Sequence, residues 1–171
     1  AEKEHNQAQK FIESLNNDGV EFVRQFLGER NIGAAGHNDS RTICLMDATG
    51  SMGHLLNQAK NTVGTMFERA SIILKEHGIP SDSFQMQFAV YRDYDRKIEG
   101  ILQTSPWETK PDNLRSFMEK ISASGGGDYE EAIEIGLWHA NQENEKEEIS
   151  QVILIGDAPA KSIDQIKEYR K

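Results

Sequence analysis

Hydrophobic and polar positions divide the chain at about residue 40. Before it, Ala8, Phe11, Ile12 and Leu15 recur at helical spacing, Asp18-Gly19 interrupts, and Val20, Phe22, Val23, Phe26 and Leu27 resume before Gly28. The next stretch, "NIGAAGHNDS", is glycine-rich and polar and reads as a linker, with His37 a loop histidine in it. Residues 1–40 are therefore expected to be a helical extension and linker. From Thr42 to Met46 the pattern becomes a short apolar run, as suits a strand covered on both faces in a parallel sheet. Met52, Leu55, Leu56, Ala59, Val63, Met66, Phe67, Ala70, Ile73 and Leu74 then keep i, i+3, i+4 spacing for about six turns, with Gly78 and Pro80 as stops. This predicts one long amphipathic helix that begins just after Ser51.

Phe84, Met86, Phe88 and Val90 alternate with Gln85, Gln87 and Ala89, predicting a second strand that runs into a charged turn, "RDYDR". Ile98–Gln103 reads as its antiparallel hairpin partner. A helix is expected from Pro111 to Ile121 and another from Tyr129 to Asn141, where Trp138 and His139 read as packing or surface positions. The acidic "NQENEKEE" reads as a solvated connector, "QVILIGD" as a second buried strand ending in an acid, and 161–171 as the start of a last helix. This alternation predicts a doubly wound α/β fold, mostly parallel with one antiparallel edge strand, over residues 41–171.

Composition narrows the chemistry. A hydrophobic content of 37% without any run near the roughly 20 apolar residues of a membrane span argues against insertion. A formal charge of −9 with no local basic patch argues against nucleic acid and favours cations. Cys44, the single cysteine, lies inside an apolar run and reads as a core residue. With no secretory leader in view, cytoplasm is the favoured location, extracellular space staying open.

The candidate chemistry starts at "RTICLMDATGSMG", residues 41–53, where the first strand stops at Asp47 and Thr49 and Ser51 follow at alternate positions. In an open parallel sheet, ligands bind beyond the C-terminal strand ends. Following chain direction brings 47–51, 122–128 and 157–159 to one rim, with 92–96 beside them. Asp47, Thr49, Ser51 and Asp157 then offer hard oxygens suited to Mg²⁺ or Mn²⁺, and no thiolate or imidazole is on offer for zinc. Helix capping would explain one hydroxyl but not an acid closing each of two apolar strands.

At these residues the sequence resembles a von Willebrand factor A domain, the fold shared with integrin I domains. "DATGS" resembles the first loop of that family's metal-ion-dependent adhesion site, with Thr49 in place of a serine, and "LIGDAPA" resembles the third through Asp157. The "SGGGD" stretch is similar to that of A domains attached to atypical α-kinases and other intracellular proteins. The family's second-loop threonine is missing; Gly127 or Asp128 stands there, and Asp128 reads either as a ligand or as a cap through Asp128-x-x-Glu131. The family's sheet has six strands, so the resemblance implies that this chain lacks the last two and leaves an edge that another segment or chain could cover.

The resemblance implies a non-enzymatic protein-interaction module in which a partner's Asp or Glu completes the coordination of the ion, with Arg92, Asp93, Tyr94, Asp95 and Arg96 as the rim. A phosphotransferase of the haloacid dehalogenase type is the alternative, although Thr49 occupies the place of its general acid. A purely structural metal-binding domain is a third reading.

Overall fold

Alternation along a single strand sets the layers. β1, Ser40–Asp47, is an interior strand of the structure, a computed structural model that describes residues 40–95 and 98–169. β2, Phe84–Tyr91, and β4, Gln151–Ile155, pair parallel to it on either side, and β3, Leu102–Thr104, pairs antiparallel to β2, giving the order β3-β2-β1-β4. Successive β1 side chains point to opposite faces. Cys44 and Met46 face a core completed by Val63 and Phe67 of α1, Leu56–Glu76, and by Leu114 and Met118 of α3, Pro111–Glu119. Ile43 and Leu45 face the smaller core of Tyr91, Ala89 and Ala140, the last on α4, Ile133–Lys146. A methyl at Gly136 would stand 3.0 Å from the Tyr91 ring, so α4 can approach the sheet this closely only with glycine there. Burial pushes the Cys44 thiol up to about 12, as an inert core residue requires.

The fold class is the one the sequence predicts, and five local readings need correction. Ile98–Ile101 is a helical turn, α2, and the antiparallel strand is only Leu102–Thr104. The turn is held because Arg92 donates its N–H to the Ile101 carbonyl at 2.8 Å. The long helix does not start at Ser51: a 3-10 turn, Gly50–His54, intervenes before Leu56. α4 starts at Ile133 rather than Tyr129, because the Glu131 N–H donates to the Pro159 carbonyl at 2.9 Å and the Lys161 N–H to the Glu131 carbonyl at 3.2 Å, which keeps the chain extended there. It then runs on to Lys146 through most of the supposed acidic connector, whose Gln, Glu and Lys are good helix formers. β4 is not buried: Val152 and Leu154 are 44% and 47% exposed on a strand at the edge of the sheet.

The last helix is α5, Ile163–Tyr169. Among the described residues no helix is long and apolar enough to cross a membrane. The predicted extension over 1–40, apart from Ser40 at its end, and the rim residue Arg96 lie outside the described residues.

Candidate metal centre

β1 and β4 leave the sheet side by side, and their first loop residues meet above it. Met46 is in register with Ile155. Gly156 follows, and a Cβ there would lie 3.5 Å from Cβ of Asp47 and 2.9 Å from the Tyr91 hydroxyl, so only glycine lets the two acid-bearing loops close. Asp47 is fully buried; its Oδ1 accepts the Thr49 N–H at 2.7 Å, and its Oδ2 has no hydrogen-bond partner. Thr49 is also fully buried, with Oγ1 3.1 Å from the Ser51 hydroxyl, and the Ser51 hydroxyl donates to Asp157 Oδ1 at 3.0 Å. The first and third predicted loops thus converge through a continuous row of oxygens. Capping does not account for Thr49: it precedes the 3-10 turn without making any side-chain cap.

The glycine loop is strapped against this row. Gly50 donates to the Gly125 carbonyl at 2.8 Å and Ser124 to the Ala48 carbonyl at 2.9 Å. Gly126 has φ of +89°, and a side chain there would crowd Cβ of Thr49 at 3.2 Å and Oε1 of Glu131 at 3.4 Å. These contacts give the glycines of "SGGGD" their purpose: left-handed backbone and close passage over the first loop.

Asp128 does not cap the following helix, and a lysine engages its carboxylate. Both its oxygens are taken by Lys161 Nζ, at 2.7 and 2.9 Å, and α4 is preceded by Ala132 without a side-chain cap. The lysine side chain is wholly buried; it also donates to the Glu130 carbonyl at 2.6 Å and pairs with Asp93 at 3.0 Å. Burial works against its charge, but the two carboxylates outweigh that and hold its pKa above the usual value. The same ammonium holds the Asp128 carboxyl below its usual range.

The rim prediction needs correction at two positions. Arg92 and Asp93 are buried: Arg92 braces Ser122 and Gln103 with hydrogen bonds of 2.8 Å each, and Asp93 faces Lys161. A guanidinium in a loop with three carbonyl-type acceptors around it becomes a strut. Asp95 is exposed, while Tyr94 is half-buried, stacks on Tyr169 at 4.7 Å and donates to Glu134 at 2.5 Å.

Glu131 is the residue that the sequence reading missed. It is 2% exposed, its Oε1 lies beside the Gly126 position of the glycine loop, and its Oε2 has no hydrogen-bond partner. Burial, then the neighbouring charge of Asp47, pushes its pKa up to about 7, against the opposing pull of Thr49. Asp47 is also raised, first by burial and then by Asp157, while the Thr49 N–H and hydroxyl and the Arg92 charge pull the other way. Tyr91 is raised by burial and by the charges of Asp47, Glu131 and Asp157 together. A local signal for Glu131 hardly exists: in "GGGDYEEA" the acid nearest the glycines is Asp128, and only the pairing with 159–161 turns Glu131 inward.

These oxygens outnumber the protons available to them. The Ser51 proton goes to Asp157 and the Thr49 proton to Ser51, which leaves Asp47 Oδ2 and Glu131 Oε2 without a donor. Buried acceptors without donors are costly, and a cation satisfies several at once. Among the described residues no three acidic, histidine or cysteine side chains gather closely enough to cage an ion by themselves. The donor set that fits is two carboxylates, Asp47 and Asp157, with the hydroxyls of Thr49 and Ser51, a hard-oxygen set of the kind Mg²⁺ or Mn²⁺ prefers.

The family model of the von Willebrand factor A domain covers residues 42–170. No curated protein matches the chain significantly.

Proposed function

Because the chain belongs to the von Willebrand factor A domain family, we propose that it is a protein-interaction module whose rim holds Mg²⁺ or Mn²⁺ and engages an acidic side chain of a protein partner. Asp47, Thr49, Ser51 and Asp157 would hold the ion, which when bound supplies a positive centre for a carboxylate. The single observation that carries this reading is the buried, partnerless Oδ2 of Asp47, set beside the hydroxyl row that reaches Asp157. Asp47 and Asp157 leave the ion a net charge near zero, so an incoming carboxylate would meet no net repulsion from its ligands. Asp95 and Tyr94 are the rim residues left to face a partner. In this reading the domain performs no chemistry of its own: Thr49 stands where a phosphotransferase of comparable layout needs an acid.

A melting series in EDTA, Mg²⁺ and Mn²⁺ tests it. At a free cation concentration about a hundredfold above the dissociation constant, binding to the folded state alone adds about 2.7 kcal/mol. Wild type should melt higher with cation, and Asp47→Ala should lose that rise. A wild type indifferent to both cations would end the proposal; a pull-down that survives EDTA would reduce the site to a structural one.

A further inference from the structure

We infer that the partner segment carries a large apolar side chain about three residues from its acidic one, and that Tyr129, Ile163 and Tyr169, gathered beside the cation site, receive it. The inference rests on the reading just given and narrows the partner: the ion would take the carboxylate, and this face would select among the segments that present one.

Exposure and position carry it first. Tyr129 and Ile163, each 71% exposed, are the most exposed large apolar side chains among the described residues, and Tyr169 is 50% exposed. An apolar side chain alone on a surface is ordinary, whereas several together mark an interaction site. These three stand about one ion pair: Tyr129 follows Asp128, Ile163 comes two residues after Lys161, and the Tyr169 hydroxyl is 3.5 Å from Asp128 Oδ2. The Tyr169 ring is already fixed, stacked on Tyr94 at 4.7 Å and 5.3 Å from Lys161 Nζ, so little freedom is lost when a partner covers it.

Charge and distance decide what fits. Both oxygens of Asp128 are taken by Lys161, and Asp164, beside Ile163, pairs with Lys167 at 3.2 Å. With these carboxylates engaged by the protein's own lysines, the face offers apolar area rather than a socket for a partner's cation. The Gly126 position passes 3.2 Å from Cβ of Thr49, and Tyr129 lies three residues on, so roughly 10 Å of chain at most separates Tyr129 from the row of hydroxyls. The Glu131 N–H donates to the Pro159 carbonyl at 2.9 Å, which ties the loop of Asp157 to the same face. A partner backbone spans that gap in about three residues. Tyrosine suits such a place, because a large, rigid side chain often supplies the anchor of an interface.

Two capped heptapeptides test it on the whole chain loaded with Mn²⁺. One has a central aspartate among glycines; the other has phenylalanine at both ends, three residues from the aspartate on either side. Calorimetry gives each affinity, and broadening of the peptide proton resonances shows that the bound peptide lies at the ion. Wild type should hold the phenylalanine peptide about tenfold more tightly than the glycine peptide. Tyr129→Ser combined with Ile163→Ser should shrink that advantage to within about twofold, whereas Ile72→Ser, 55% exposed toward the far end of α1, should keep it. Equal affinity of the two peptides for wild type, or an advantage that survives the double exchange, overturns the inference and leaves the cation reading standing. So does a phenylalanine peptide held equally well in EDTA. Neither peptide bound by the Mn²⁺-loaded wild type removes that reading and this inference with it. Sedimentation of the free chain covers the remaining occupant: a dimer that the double exchange dissociates would assign the face to a second copy and overturn the inference.

Discussion

Lys161→Met is the perturbation that most directly tests how the rim loops are held together. The ammonium is wholly buried and ties three segments: Asp93 after β2, Glu130 and Asp128 before α4, and its own stretch before α5. Removing one partner of a buried ion pair typically destabilises by about 3–5 kcal/mol, because the other charge is left without compensation. Asp128 keeps 35% of its side chain exposed and can rehydrate, so the loss comes chiefly from Asp93, at 4% exposed, and the lower end, about 3 kcal/mol, applies. For chains of this size each kcal/mol moves the melting point by about 2–4 °C, so thermal unfolding at neutral pH without metal should shift down by roughly 6–12 °C. Adding Asp93→Asn removes the stranded charge and should restore about 1–2 kcal/mol. A Lys161→Met variant that melts within about 2 °C of wild type, or a double variant no better than the single, would refute the view that this lysine clamps the rim.

Two further outcomes follow from local geometry. Gly126→Ala places a side chain at φ +89° against Thr49 and Glu131, and should destabilise by about 1–3 kcal/mol and blunt the melting rise with Mg²⁺, whereas Gly53→Ala, whose Cβ would meet nothing closer than 3.9 Å, should do neither. Glu143 has a pKa held below its usual value: burial raises it, but hydrogen bonds from Lys146 at 2.6 Å and Trp107 at 2.6 Å prevail. A lowered carboxyl pKa stabilises above the unfolded value near 4.5 and stops doing so as pH falls through the folded one. Chemical denaturation should therefore find Glu143→Gln weaker than wild type by about 1 kcal/mol at pH 7, with the gap closing on acidification toward pH 3; an unchanged gap would contradict the assignment.

Much of the fold was legible because burial leaves a periodic trace. The apolar run to Met46 required cover on both faces and received it from α1 and α3 on one side and α4 on the other. The alternation in Phe84–Val90 and the long helical stripe specified a parallel neighbour and its crossover, and chain direction alone brought Asp47 and Asp157 to one rim. Element limits were less legible where tertiary bonds compete with propensity: the pairing of Glu131 with 159–161 delays α4, and the bonds of Arg92 shape the turn before β3.

Which charges face which was decided only by the folded chain. Arg92, Asp93 and Asp128 look alike in sequence to any exposed loop charges, yet Lys161, distant in the chain, draws both acids to itself. Glu131 looked like a helix-cap partner and is instead buried beside the glycine loop. Hydrophobic burial is read from local spacing because it depends on a residue's own side chain. A buried charge depends on a partner that the one-dimensional pattern does not identify, and that partner is supplied only when the strands have ended side by side.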